Sequence, residues 1–70
     1  MKLYNIVIDN DVEIYLQGPY RTKALRLKAA QSHRNNHGDS DGIHWLSVSD
    51  SGVRVGDYSN AALEVDNDNN

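Results

Sequence analysis

Three histidines and two aspartates lie close together in the middle of the chain, and both residue types bind metals. His33 and His37 are four residues apart, a spacing that places both rings on one face of a helix, and Asp39, Asp41 and His44 follow. The run after Asp39 lacks the glutamate that completes a calcium-binding loop, and His37 lies at the predicted helix end. We therefore expect polar groups of a helix-terminating loop, with no metal and no cofactor.

Asp39 and Asp41 also form a candidate carboxylate pair for acid–base catalysis. They are two residues apart in a polar loop, whereas a catalytic pair is tuned by burial. The chain has no cysteine, no glycine-rich phosphate loop and no serine in a nucleophile-elbow context. The sequence therefore predicts that the protein is not an enzyme.

Charge is unevenly distributed along the 70 residues, which carry a net charge of −3. All residues between Ile14 and Gly38 that carry charge are basic: Arg21, Lys23, Arg26, Lys28 and Arg34. On a helical wheel, Lys23, Arg26 and Arg34 share one arc with His33, and this arc is a candidate for contacts with nucleic-acid phosphates. The alternative is a solvated outer helix face. Because the chain as a whole is acidic, we expect any such binding to be weak and salt-dependent.

Periodicity predicts the elements that position these residues. Residues 2–9 and 12–17 alternate like a β-hairpin, residues 23–34 are good helix formers, and residues 43–49 and 53–58 form a second hairpin. Glycine and proline at 18–19 are expected to end the second strand. The prediction is one α+β domain over 1–65, a two-layer ββαββ fold with an antiparallel-rich sheet and one helix on one face. Residues 59–65 are either a helical turn or an edge segment, and the polar tail 66–70 is expected to be disordered.

The same alternation predicts which face of the sheet is buried. The expected core residues are Tyr4, Ile6, Ile8, Val12, Ile14, Leu16, Leu25, Leu27, Leu46, Val48, Val53 and Val55. Tyr15 and Trp45 then point to the bare face, where aromatic rings stack on bases or bind a protein. The alternative is that the C-terminal segment or a second copy covers this face.

Acidic residues gather in two turns that are candidates for docking into a basic groove of a partner. Asp9, Asp11 and Glu13 lie at the first hairpin turn, and Asp39 and Asp41 follow the helix. Such complementarity mainly raises the association rate and the selectivity of binding. With the two aromatic residues, the protein-binding candidates are Asp9, Asp11, Glu13, Tyr15, Asp39, Asp41 and Trp45.

Two stretches carry a resemblance to known proteins. Gly18-Pro19-Tyr20-Arg21-Thr22 before the helix and Gly42-Ile43-His44-Trp45-Leu46 after it resemble small phage-encoded α/β proteins of unassigned role. The resemblance implies binding and blocking of a host protein, as anti-CRISPR and other anti-defence proteins do.

From these observations we expect a non-enzymatic protein-binding module, a phage-type inhibitor of a host or defence complex. The alternative is a small nucleic-acid-binding or regulatory module that uses helix 22–37. The chain has no cysteine and no apolar run of membrane-spanning length, so we expect a cytoplasmic protein without membrane contact. A monomer and a homodimer both fit the sequence.

Overall fold

A computed structural model describes residues 1–10, 12–38 and 40–63. The elements are β1 (Lys2–Asp9), β2 (Glu13–Tyr20), α1 (Lys23–His37), β3 (Gly42–Ser49), β4 (Gly52–Asp57) and α2 (Asn60–Leu63). The strands form one antiparallel sheet in the order β2-β1-β3-β4. The predicted α+β class and the ββαββ order are confirmed. Asp11, Asp39 and residues 64–70, which include the predicted tail and the end of the predicted domain, lie outside the described residues.

Strand β2 extends further than the sequence predicts. It continues through Gly18 and Pro19 to Tyr20, which pairs with Leu3 after a register shift between Leu3 and Asn5. Pro19 is tolerated because β2 is an edge strand, where a missing N–H breaks no ladder to a second neighbour. Gly18 adopts a φ of 126°, a backbone conformation that favours glycine.

Helix α1 has a defined cap at each end. The Thr22 side chain accepts a hydrogen bond from the Leu25 N–H at 3.1 Å, which satisfies a free donor of the first turn. The Gly38 N–H donates to the Arg34 carbonyl at 2.9 Å, and Gly38 has a φ of 78°. The helix therefore runs to His37, three residues past the run of good helix formers that ends at Arg34. No helix in the described part of the chain is long and apolar enough to cross a membrane.

The face of the sheet under α1 is the opposite of the predicted one. Leu3, Asn5 and Val7 of β1 are buried on this side, together with Ile43 and Ser47 of β3. The period of two is correct, but every side chain on these strands lies on the other face. Of the predicted core residues, Leu46 is buried, Tyr4, Ile6, Ile8, Leu27 and Val48 are half-buried, and Val12, Ile14, Leu16, Leu25, Val53 and Val55 are exposed.

The helix explains why the sheet buries this face. The residues of α1 that are buried are Arg26, Ala30 and His33, so its contact surface is small and largely polar. Buried polar groups require hydrogen-bond partners, and Asn5 and Ser47 offer them whereas the isoleucines of the other face do not. The apolar cluster beneath the helix consists of Ala30, Ile43 and Leu63 of α2, with Tyr58 packed against it.

Candidate functional site

A hydrogen-bonded polar network joins α1 to the sheet. Asn5 is fully buried, and its Nδ2 donates to the Arg26 carbonyl oxygen at 3.0 Å. The Tyr58 hydroxyl donates to Asn5 Oδ1 at 2.6 Å. Burial raises the pKa of Tyr58, an effect that the nearby Arg26 charge opposes. The Asn5 amide therefore holds the helix through its nitrogen and the segment after β4 through its oxygen.

Arg26 lies inside this layer, not on the outer helix face. Its Nη1 donates to the Leu46 carbonyl and to Ser47 Oγ, each at 2.9 Å, and the guanidinium carbon lies 5.2 Å from the Trp45 ring centroid. Arg26 is only 6% exposed, and its Nε has no hydrogen-bond partner in the described part of the chain. The expectation of a solvent-facing basic arc is wrong for Arg26, because that arc also carries Ala30, whose small side chain lets the helix approach the sheet.

The side chains of His33 and Asp41 form a buried pair between α1 and the start of β3. His33 Nε2 lies 2.9 Å from Asp41 Oδ2, and its Nδ1 lies 3.5 Å from Gln17 Nε2. The hydrogen bond to His33 lowers the pKa of Asp41, although desolvation opposes the shift. Asp41 is therefore buried against α1 and is not an exposed docking residue as predicted.

The histidine spacing brings two rings together without assembling a metal cluster. The rings of His33 and His37 stack with centroids 4.4 Å apart. Among the residues that the structure describes, no three His, Cys, Asp or Glu side chains form a group that would hold a metal ion. His44 instead pairs across the strands with Asp57, its Nδ1 hydrogen-bonded to the carboxylate. Sequence reasoning missed this pair, although the register of the second hairpin would have revealed it.

Tyr15 and Trp45 lie on the helix side of the sheet, contrary to the prediction that they face away from it. Tyr15 pairs with Val7 and is 42% exposed beside the helix. Trp45 pairs with Gly56, and its indole occupies the space in which a Cβ at residue 56 would lie. Residues paired across antiparallel strands point to the same side of the sheet. Because the buried face is the opposite of the predicted one, both assignments were wrong.

Within the described residues, no helix covers the other side of the sheet, and this side is almost entirely apolar. Ile14 is 70% exposed and Leu16 is 56% exposed on β2, while Val53 and Val55 on β4 are 63% and 57% exposed. We call this surface the open face; it consists of Tyr4, Ile6, Ile8, Ile14, Leu16, Leu46, Val48, Val53 and Val55. The charged side chains on this side are Lys2, at one end, and the His44–Asp57 pair, which lies beside Ile6.

A basic cleft lies on the helix side, at the start of α1. It has a volume of about 280 Å³ and is lined by Met1, Lys23, Arg26, Trp45, Ser47 and Arg54. Its described lining contains three cationic side chains and no carboxylate. Arg54 pairs with Ser47 across β3 and β4, which brings both side chains to this face.

The remaining candidates are separate from this cleft. Arg34 is half-buried and follows Lys23 by eleven residues, roughly 16 Å along a helix axis, so the two do not form one phosphate site. Asp9 and Glu13 are paired at the end of the first hairpin, where Glu13 is exposed. The predicted docking residues Asp11 and Asp39 lie outside the described residues.

Comparison with known proteins finds no matching family model, no similar curated protein and no similar solved structure. The resemblance to phage-encoded proteins therefore stays a prediction. The open face and the basic cleft are the two surfaces on which a functional proposal can be built.

Proposed function

We propose that this protein is a non-enzymatic protein-binding module and that the open face is its binding surface. The observation that carries the proposal is the continuous apolar surface on the side of the sheet without a helix. Three strands of eight residues and one of six form this sheet. At ~4.8 Å between strands and ~3.3 Å per residue, the face measures about 400–500 Å². Contiguous apolar patches of this size on monomeric proteins are often functional.

Covering the open face would stabilise the protein considerably. Fully burying an aliphatic side chain contributes about 1.5–3 kcal/mol, so each of the four side chains exposed by 56–70% would gain about 1–2 kcal/mol. Their sum is about 4–7 kcal/mol per chain. A single core in a domain of this size rarely supplies more than about 3–5 kcal/mol. The burial term alone, before the entropy cost of association is subtracted, is thus as large as the stability expected of the isolated chain.

The occupant that we propose for the open face is a second copy of the chain. Two copies of this face bury about 800–1,000 Å² together, which is the size of a small, weak interface. Twisted sheets of this kind pack face to face about 10 Å apart, with interdigitated aliphatic side chains. A two-fold axis between the two sheets makes such an interface self-complementary, so the same apolar side chains contribute from both copies.

Mass measurement with matched variants tests this proposal. Sedimentation equilibrium of the wild-type chain at about 100 µM should give twice the 7.8 kDa of one chain. Leu16→Glu and Val55→Glu should each give the mass of one folded chain, because both side chains are exposed within the chain but meet the second copy. The control Leu25→Glu, at a residue 47% exposed on α1, should leave the dimer intact. A folded wild-type chain of single mass at this concentration contradicts the proposal.

The finer role that we propose is inhibition by surface blocking, as in phage-type inhibitors of a host or defence complex. Its support is the acidic end of the first hairpin, where Glu13 is exposed and pairs with the half-buried Asp9. This pair lies on the helix side of the sheet, so a face-to-face dimer presents Glu13 in both copies. In a host with an active DNA-targeting defence complex, expression of the chain should restore plating of the targeted phage. Glu13→Lys should weaken this effect, whereas Asp50→Lys, at the exposed turn of the other hairpin, should not. Unchanged plating with the wild-type chain contradicts the inhibitor role and leaves the dimer proposal unaffected.

A further inference from the structure

We infer that the basic cleft binds a phosphoryl group. This site lies on the helix side of the sheet, away from the open face, and does not depend on the proposed association. Lys23, Arg26 and Arg54 line one cavity of about 280 Å³ with the Ser47 hydroxyl. Three cations more than neutralise a phosphate monoester, which carries between −1.5 and −2 at about pH 7 and presents three acceptor oxygens.

Arg26 is the central residue of this site because its charge is buried and has no anionic partner among the described residues. The two ion pairs of the described residues are His33–Asp41 and His44–Asp57, and neither includes Arg26. The carbonyl and hydroxyl oxygens that accept from Nη1 position the guanidinium, but they do not neutralise it. A buried cation without a counter-charge is unfavourable, so an anion in the cleft would gain from a charge that is already positioned.

The surrounding residues reinforce the positive potential of the cleft. Lys23 is the first residue of the 15-residue helix α1, whose first turn contains no acidic residue. The amino end of a helix carries a partial positive charge and favours anions. Lys23 and Arg54 are both exposed, so their long side chains can close around a bound group.

The position of Trp45 favours a phosphoryl group over a stacked base. Its indole lies against Gly56, and the Arg26 guanidinium lies over the ring, so Trp45 supports the arginine. At ~30 Å³ per water, the cleft has the volume of about nine waters, enough for a phosphate and the first atoms attached to it. The phosphoryl group can come from a small phosphate ester or from a nucleic-acid backbone, and the test separates these sources.

Trp45 is the one tryptophan of the chain and touches Arg26, so its fluorescence reports binding directly. We would titrate the full chain with inorganic phosphate, adenosine monophosphate and a mixed-sequence single-stranded oligonucleotide at about 50 mM salt, where phosphate contacts are strong. Inorganic phosphate should give a saturable change. Equal or tighter binding of adenosine monophosphate, without a further gain for the oligonucleotide, identifies a small ester. Tighter oligonucleotide binding that weakens steeply with salt identifies a nucleic-acid backbone.

A matched pair of charge-removing variants decides whether the cleft is responsible. Arg54→Gln should weaken binding about tenfold, the effect of losing one charge-assisted hydrogen bond. Lys28→Gln removes the same charge from an exposed helix position outside the cleft lining and should leave binding unchanged. Absence of a saturable fluorescence change up to about 20 mM phosphate overturns the inference. Equal weakening by both variants also overturns it, because binding would then reflect net charge alone.

Discussion

Replacing Asn5 by leucine is the sharpest test of which sheet face is buried. The Asn5 amide is fully buried, donates to the Arg26 carbonyl and accepts from the Tyr58 hydroxyl. Leucine would remove both hydrogen bonds, although the Arg26 carbonyl would keep its bond within the helix and the Tyr58 hydroxyl is half-buried. Each lost hydrogen bond costs about 0.5–1.5 kcal/mol, so Asn5→Leu should lower the free energy of unfolding by about 1–3 kcal/mol.

The comparison variant is Leu16→Asn, which places an amide on the open face. Leu16 is 56% exposed, so within one chain this substitution should cost less than about 1 kcal/mol. Both variants would be made on the Val55→Glu background, so that association does not contribute. Urea unfolding followed by Trp45 fluorescence measures the difference. If Leu16→Asn is the more damaging change and Asn5→Leu is neutral, the face assignment is refuted.

Two further predictions concern the buried pair and the Trp45 contact. The pKa of Asp41 is lowered from its ordinary 3.8 by the hydrogen bond to His33, so this bond stabilises the fold above pH 3.8. That stability should be lost as pH falls through the lower folded-state value, and urea midpoints measured between about pH 6 and 2 should show a shallower decline for Asp41→Asn. Gly56→Ala should displace the Trp45 indole, cost about 1–3 kcal/mol and shift its emission, because a Cβ there overlaps the ring. Gly42→Ala, whose Cβ would meet ordinary contacts of 3.6 Å or more, should change neither; equal effects of the two would contradict this packing.

The sequence predicts the elements well because the signals that define them are local. Thr22 caps the helix, Gly38 ends it, and the alternation of β-branched residues defines the strands. The second hairpin has a shorter turn than predicted, since Ser49 pairs with Gly52 and leaves two residues between them where three were predicted, and β4 ends at Asp57. The two strands of a hairpin pair because they are adjacent in the sequence, so distant residues have little influence on this pairing.

The choice of face could not be predicted because both faces of β1 are apolar enough to be buried. Leu3 and Val7 alternate with Ile6 and Ile8, and only the partner decides between them. That partner is a helix face with a buried arginine and histidine, which sequence reasoning assigns to solvent. Asn5 between two apolar residues is the one local signal of a polar layer beneath the helix.

The same inversion explains the candidate sites. Lys23 and Arg26 do lie in one basic cleft, as their common helical arc suggests, but the cleft is completed by Arg54 from β4. Arg54 is distant in sequence, and only the register of the second hairpin brings it beside Ser47. The open face consists largely of residues that the sequence assigns to the core. An apolar sheet face that no helix covers shows the same alternation of residues as a buried one, so the sequence does not distinguish them.

The most direct measurement of the central claim is an isotope-filtered nuclear Overhauser experiment on a mixture of labelled and unlabelled chains. This experiment records contacts between protons of two different copies. We predict intermolecular contacts among the methyl groups of Ile14, Leu16, Val53 and Val55, and none from Leu25. Intermolecular contacts confined to α1, or their absence while these methyl groups remain solvent-exposed, would contradict the assignment of the open face as the binding surface.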